Sequence, residues 1–413
     1  MWVPCGALPA GGWLPSGAPS GSDRQSGALI FIPRLRPAVN LKKKMSGKLR
    51  PSLLSTGARL AEHWVVQKRI GRGAFGDVFL ATHEITGEQC AVKAEVEASP
   101  RLQREAAAYT ILHARLGRAP GIPLMHWTGG GVGASGQPVQ LLSMELLGTS
   151  LEDARRALGG TLPVHMLARL GRDMLRRIET VHASGIVHCD LKPANFLLPA
   201  GALGMGGADA RSLGRTPLRA YLIDFGFARS HGGGPSPTEA LRPPPLRRGI
   251  VGSARFSSIR NHQLHPLAPR DDIEALAYTL AYLGTGTLPW VAIGSPSVDS
   301  RTTEGGAPNG SGGGGAADLA RRIGETEGGG EVGRRAGETD AAYDKRSEAA
   351  YEKRKRFARI LERKLAAHPE EIASGLPDGF AELVSYARAL QPVRRICLIS
   401  SYIYLSISTS ISG

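Results

Sequence analysis

The spacing of apolar positions changes along the chain. Residues 64–70 (Trp-Val-Val-Gln-Lys-Arg-Ile) and 78–82 carry β-branched and aromatic residues on either side of a Gly-rich turn, which predicts a hairpin. Gln89 to Ala94 and Val139 to Met144 predict two further strands. Between them, residues 101–116 set Leu102, Tyr109, Ile111, Leu112 and Leu116 among charges, as a helix requires. After Ser150 the long period takes over. Leu167, Leu170, Met174, Leu175, Ile178 and Val181 mark a helix over 164–184. A second is predicted over 271–283, with Asp271 and Asp272 placed for its start, and a third over 355–367. A mostly β part followed by a mostly α part predicts an α+β fold in two lobes.

Stretches without any period divide this pattern. Residues 1–62 are rich in Gly, Pro, Ser and Arg and are expected to be a disordered extension. Met45 opens a more ordinary stretch, so residues 1–44 are expected to be an addition to the gene product proper. The 54 glycines and 28 prolines cluster again at 199–217, 231–245 and 291–342, read as mobile surface loops. The expected layout is an N-lobe and hinge over 63–148, a C-lobe over 149–395 with a disordered insert at 291–342, and a tail over 396–413.

Charge narrows the partners. The chain has 413 residues and a formal net charge of +15, from 51 basic and 36 acidic side chains. Such a balance favours polyanionic partners. The richest runs, Lys42 to Lys44 and Lys353 to Arg356, are short, and a solvated basic surface accounts for them as well. No nucleic-acid recognition motif accompanies them, so no specific nucleic-acid partner is expected. Cys5, Cys90, Cys189 and Cys397 are far apart and form no C-x-x-C pair. That argues against a disulfide framework or a zinc site and fits a cytosolic or nuclear compartment. The run from Ile396 to Ile411 is too short and too rich in Ser for a membrane span, which needs about 20 apolar residues. No membrane partner is expected.

Four motifs carry chemistry. Gly71-Arg72-Gly73-Ala74-Phe75-Gly76 is G-x-G-x-x-G between two strands, with Ile70 before it and Val78 after it. A dinucleotide fingerprint would lead into a helix. A hairpin of this kind can cover phosphates with backbone N–H groups, or can be a structural turn only. Ala91-Val92-Lys93 puts a lysine on an apolar strand, where it needs a partner, and Glu105 on the next helix is the candidate. A lysine that snorkels from a strand end is the plainer alternative. His188-Cys189-Asp190-Leu191-Lys192-Pro193-Ala194-Asn195 fits H-x-D-x-K-x-x-N within an apolar stretch, and packing does not explain four polar residues there. Asp224-Phe225-Gly226 follows Leu222-Ile223 and offers a hard carboxylate ligand; alone it reads equally as an Asx turn. The order of the set is that of a eukaryotic-type protein kinase.

Three segments resemble the casein kinase 1 family more closely. Met144-Glu145-Leu146-Leu147-Gly148-Thr149-Ser150-Leu151-Glu152-Asp153 is similar to its hinge. Gly252-Ser253-Ala254-Arg255-Phe256-Ser257-Ser258-Ile259 stands where most kinases have A-P-E. Arg270 to Leu276 and Leu288-Pro289-Trp290 resemble its R-D-D-L-E-S-L and L-P-W. The likeness covers roughly 64–290 and resumes near 352–390. Trp64 and the basic, Pro-rich run before Gly252 are also similar to the related tau-tubulin kinases.

The resemblance implies a bilobal kinase fold and a Ser/Thr protein kinase using ATP and Mg²⁺. Ile70, Gly71, Gly73, Gly76, Val78, Ala91, Lys93 and Glu105 would hold the nucleotide phosphates and frame the base. Met144 would be the gatekeeper, with backbone near Glu145 and Leu147 meeting adenine. Asp190 and Lys192 would be catalytic, Asn195 and Asp224 would bind metal, and Asp272 would brace the catalytic loop. Protein substrates that are acidic or already phosphorylated are implied, with Arg255 and more weakly Lys353 and Arg354 as the anion site; a solvated helix flank explains those last two as readily. A monomer is expected. Cys189 stands where the family pattern of most kinases has Arg, so control by a loop phosphate is not expected, and Cys189 reads as a small apolar filler. A pseudokinase scaffold is the alternative from another class; it requires a missing catalytic group, and none of the four is missing. The end from Arg394 to Gly413 does not resemble the family.

Overall fold

The computed structural model describes residues 51–391 except 62, 74, 97–98, 202–218, 232–240, 243–248 and 292–338. Its first part is an antiparallel sheet of β1 (Arg59–Leu60), β2 (Trp64–Arg72), β3 (Gly76–His83), β4 (Gln89–Val96), β5 (Met125–Val132) and β6 (Pro138–Glu145), in the order β1-β2-β3-β4-β6-β5. Period-2 alternation gives the sheet its two faces. Trp64, Val66, Phe79, Ala81, Cys90, Val92, Ala94, Val139 and Leu141 point one way and form a small core. Val78, Ala91 and Lys93 point the other way, and the register puts Val78 beside Lys93 and Ala91 beside Met144. Helix α1 (Pro100–Leu116), with Pro100 in its first turn, packs against β5 and β6.

The second part is helical. It contains α2 (Leu151–Ala157), α3 (Val164–Ala183), α4 (Ile259–His262), α5 (Pro269–Thr285), α6 (Asp340–Ala366), α7 (Pro369–Ile372) and α8 (Asp378–Ala389). Nearly every residue of α5 is buried, as expected for a helix packed on all sides, and α3 and α8 flank it. Two short ladders, β7 (Ile186–Val187) with β10 (Arg229–Ser230) and β8 (Phe196–Leu197) with β9 (Tyr221–Leu222), carry the polar motifs between the two parts. Among the described residues no helix is long and apolar enough to cross a membrane.

The sequence reading needs three corrections. Order begins before residue 63. Leu53 and Leu54 are buried in the small core, Leu53 N–H donates to Asp77 Oδ2 at 3.0 Å, and Ala134 N–H donates to Leu53 O at 2.9 Å. Leu53 and Leu54, adjacent in a stretch of Ser, Pro and Gly, have no period and left no strand signal. Next, β5 escaped notice because Gly129, Gly130 and Gly131 look like a loop; pairing with β6 holds them extended. Last, α6 starts at Asp340, not 355, with Thr339 capping it. Its described residues are buried only from Ala358 onward, so the earlier turns show no apolar stripe. The insert expected to reach 342 therefore ends earlier. The rest of the three inserts, residues 1–50 and the tail from 392 lie almost wholly outside the described residues.

Leu54→Ala should destabilise the chain by about 2–5 kcal/mol, the usual cost of a buried leucine. Urea unfolding measures it, and a loss below about 1 kcal/mol would remove residues 51–60 from the core.

Candidate active site

Lys93 sits on the cleft face of β4 because its neighbours Val92 and Ala94 are turned into the small core. Its Nζ is 2.6 Å from Glu105 Oε2, 3.0 Å from Asp224 Oδ1 and 3.9 Å from Glu95 Oε1. Burial alone would push Lys93 down, but Glu105, Asp224 and Glu95 hold it well above the usual lysine range. Glu105 is also pushed up, to about 7: its burial is complete and outweighs the pull of Lys93. Asp224 goes the other way. Burial would raise it, yet Lys93 first, then Lys192 and Arg101, hold it well below the carboxylate range.

The second group is built on the segment after β7. The carboxylate of Asp272, buried at the start of α5, accepts from His188 N–H at 2.8 Å, Cys189 N–H at 2.9 Å and His182 Nε2 at 2.8 Å. Burial would raise Asp272, and His182 followed by His188 hold it low. His188 Nε2 donates to Ile223 O at 3.0 Å, which leaves Nδ1 to accept from Asp190 N–H at 3.3 Å. Both oxygens of Asp190 are then engaged. Oδ1 accepts from Ser253 N–H at 2.8 Å and Oδ2 from Lys192 Nζ at 2.7 Å. Asn195 Nδ2 donates to Asp190 O at 2.8 Å, so its amide oxygen is the end left to face the cleft.

Two backbone details hold these groups together. Asp224 (φ 65°) and Cys189 (φ 67°) adopt the left-handed region that most side chains avoid. Asp224 is fixed there by Lys93, and Cys189 by Asp272. Phe225 is buried between Tyr109 of α1 and His188, with ring centroids at 5.0 Å and 4.9 Å. These edge-to-face contacts tie the sheet lobe to the helical lobe directly behind Asp224.

One cleft of about 1060 Å³ receives all of this. Every residue assigned to nucleotide, metal or catalysis lines it: Ile70, Gly71, Gly73, Gly76, Val78, Ala91, Lys93, Glu105, Met144, Glu145, Leu147, Asp190, Lys192, Asn195 and Asp224. Gly76 is required by packing, since a Cβ there would lie 2.2 Å from Ala94 O. At the hinge, Glu145 N–H donates to Leu124 O at 2.8 Å and Gly148 N–H to Leu198 O at 2.9 Å, which fixes the connection between lobes. Arg255, Lys353 and Arg354 lie elsewhere. Arg255 is exposed and leans on Tyr282 (5.5 Å from its ring centroid), while Lys353 and Arg354 are on α6.

Sequence reasoning missed two contributors. Ser253 supplies the N–H that holds Asp190, and its neighbour Gly252 (φ 75°) would drive a Cβ to 2.5 Å from Cys189 O. Arg101 on α1 stacks between the rings of Phe75 and Phe227, 3.7 Å and 4.1 Å from their centroids, and is 3.8 Å from Asp224. A polar helix residue with no motif gives no sequence signal for that position.

The donor set suits a divalent metal held jointly with phosphate. Among the described residues no cluster of three His, Cys, Asp or Glu side chains forms a metal cage. A magnesium ion carrying phosphates needs only one or two protein oxygens, and Asp224 and the Asn195 amide offer two.

A two-lobed fold with a Gly-rich hairpin over one wall and a lysine–glutamate pair behind it defines a phosphotransferase of the kinase class. The family model described as protein kinase domain matches residues 64–304, and the chain belongs to that family. Protein kinase domains act on proteins with ATP and a divalent metal. Helices α6, α7 and α8 lie beyond the matched residues.

Acid should weaken the Lys93–Glu105 pair. Glu105 has a folded-state value raised to about 7, so it takes up a proton as pH falls through that point and its attraction for Lys93 drops. Nucleotide affinity measured by calorimetry should show an acid limb with a midpoint near 7. Glu105→Gln should lack that limb; a limb retained in the variant would assign it to another group.

Proposed function

We propose that the chain is a Ser/Thr protein kinase of the casein kinase 1 type, active without loop phosphorylation and favouring acidic or phosphorylated sites. The observation that carries this reading is the held carboxylate of Asp190, beside Lys192 and facing the same cleft as Asn195 and Asp224. In this reading Lys93, fixed by Glu105, binds the α- and β-phosphates of ATP, and backbone near Glu145 and Leu147 meets adenine below Met144. Asn195 and Asp224 would hold Mg²⁺, which when bound would neutralise charge on the phosphates. Asp190 orients the incoming hydroxyl and accepts its proton. Lys192 stabilises negative charge on the transferred group. Positioning and electrostatics do the rest, without a covalent enzyme intermediate.

Loop-independent activity rests on Cys189. It has no guanidinium for a loop phosphate, and its backbone is already fixed by Asp272. We place it in a reducing cytosolic or nuclear setting, consistent with the wide spacing of its four cysteines. We take the protein as a monomer. A pseudokinase reading requires a missing group, and Lys93, Asp190, Asn195 and Asp224 all face the cleft.

Asp190→Asn should lower kcat on casein by about 10²–10⁴-fold, the span of general-base contributions, with ATP affinity retained. Turnover near that of the wild type would remove Asp190 from the chemistry.

Arg255→Ala should lower kcat/KM for a phosphoprimed peptide more than for its unprimed counterpart, by about tenfold if one charge-assisted contact is lost. Equal losses on the two peptides would refute an anion site at Arg255.

A further inference from the structure

Lys364 is fully buried near the C-terminal end of α6, outside the residues matched by the kinase family. An ammonium group in the interior is costly unless its donors and charge are met. Here they are met by one loop. Nζ donates to Ala254 O at 3.0 Å and also to Ser257 O. The ammonium lies over the rings of Tyr278 and Trp290, 5.0 Å and 5.1 Å from their centroids. Glu274 attracts the amine through space, although burial pushes its own carboxyl up; that carboxyl accepts from Ile259 N–H and the Tyr278 hydroxyl, each at 2.8 Å. Burial pushes Lys364 down to about 7, against the pull of Glu274.

The same loop is tied at its other end to Asp190. Ser253 N–H donates to Asp190 Oδ1 and Lys192 Nζ to Ser253 Oγ, the latter at 3.3 Å. Between these ends, Trp290 Nε1–H donates to Arg255 O at 2.8 Å. Arg388 on α8 secures the clamp itself, donating to Lys364 O and Ala367 O at 2.8 Å. If structure alone were needed here, apolar residues of similar volume would usually serve as well. A lysine adds the ability to grip two carbonyls on either side of Arg255 and Phe256.

We propose that Lys364 is a positioning residue for phosphoryl transfer. It holds residues 253–257 so that the Ser253 N–H stays on the Asp190 carboxylate. This rests on the kinase reading, and it gives α6 a part in the site that α6 itself never touches.

The test uses the full chain with Lys364→Met, Lys364→Gln and Trp290→Phe. Kinetics on a peptide that the wild type phosphorylates are set against affinity for a non-hydrolysable ATP analogue. Lys364→Met should lower kcat by about a hundredfold, the cost of a displacement near 1 Å, with nucleotide affinity unchanged. Lys364→Gln keeps one donor and should recover part of the loss. A kcat for Lys364→Met within about twofold of the wild type would overturn the proposal. So would a fall in nucleotide affinity matching the fall in kcat in a folded variant. If Lys364→Met does not fold, Trp290→Phe decides: it removes the neighbouring bond to Arg255 O, and its kcat must fall with nucleotide affinity intact. A wild type that binds the analogue yet phosphorylates no peptide would instead sink the kinase reading.

Discussion

The active cleft depends on a single shared ammonium group. Lys93 Nζ lies within hydrogen-bonding distance of Glu105 on α1 and of Asp224 just before Phe225, and so joins three elements distant in sequence. The charges balance only when the sheet, the helix and the turn have all come to their places. Without Lys93, the buried Glu105 would be a carboxylate without its partner, and leaving one so costs several kcal/mol. The interaction thus works as a geometric check on the lobes as much as a source of stability. Phe225, the residue after Asp224, extends the contact: it fills the space between Tyr109 and His188.

The helical lobe solves a similar problem with backbone donors. Asp272 takes N–H groups from two successive residues, His188 and Cys189, and this holds Cys189 in a left-handed conformation. That conformation carries the chain into Asp190, and Asp190 in turn accepts a backbone N–H from Ser253. Two carboxylates are therefore linked through peptide groups rather than through long, flexible cations. Peptide donors lose little side-chain entropy when they are fixed. An arginine at position 189 would have added a cation to this chain of contacts; the cysteine leaves the backbone bonds to do the holding.

The cleft residues were legible because their chemistry is local in sequence. A lysine on an apolar strand, or four polar residues in the frame from His188 to Asn195, conflicts with packing unless it has a function, and the conflict is visible without a structure. Strand and helix periods likewise gave β2, β3, β4, β6, α1, α3 and α5. What escaped notice has no local conflict. Leu53 and Leu54 look like any two leucines in a polar stretch, and become core only because Asp77 and Ala134 bind the backbone beside them. Arg101 looks like a surface charge on a helix, yet Phe75 and Phe227 close over it from two other elements. The glycines of β5 carry no strand signal of their own, and only the partner strand keeps them extended.

Lys364 is the sharpest case of the same limit, and it bears on how the loop after Gly252 is controlled. Its helix is mostly charged, so a lysine there is expected to face water. Burial follows from the pairing of α6 with the loop that supplies Ser253, across an intervening Gly-rich stretch of sequence. In an enzyme whose loop is ordered by phosphorylation, the ordering charge arrives late and can be removed. Here the ordering group is a built-in lysine amine that donates to Ala254 O and Ser257 O and lies against the rings of Tyr278 and Trp290. A fixed internal donor gives an arrangement that is present once the chain has folded. On the proposed reading, the absence of a guanidinium at 189 and the buried lysine at 364 belong together: the first leaves nothing for a loop phosphate to grip, and the second would make that grip unnecessary.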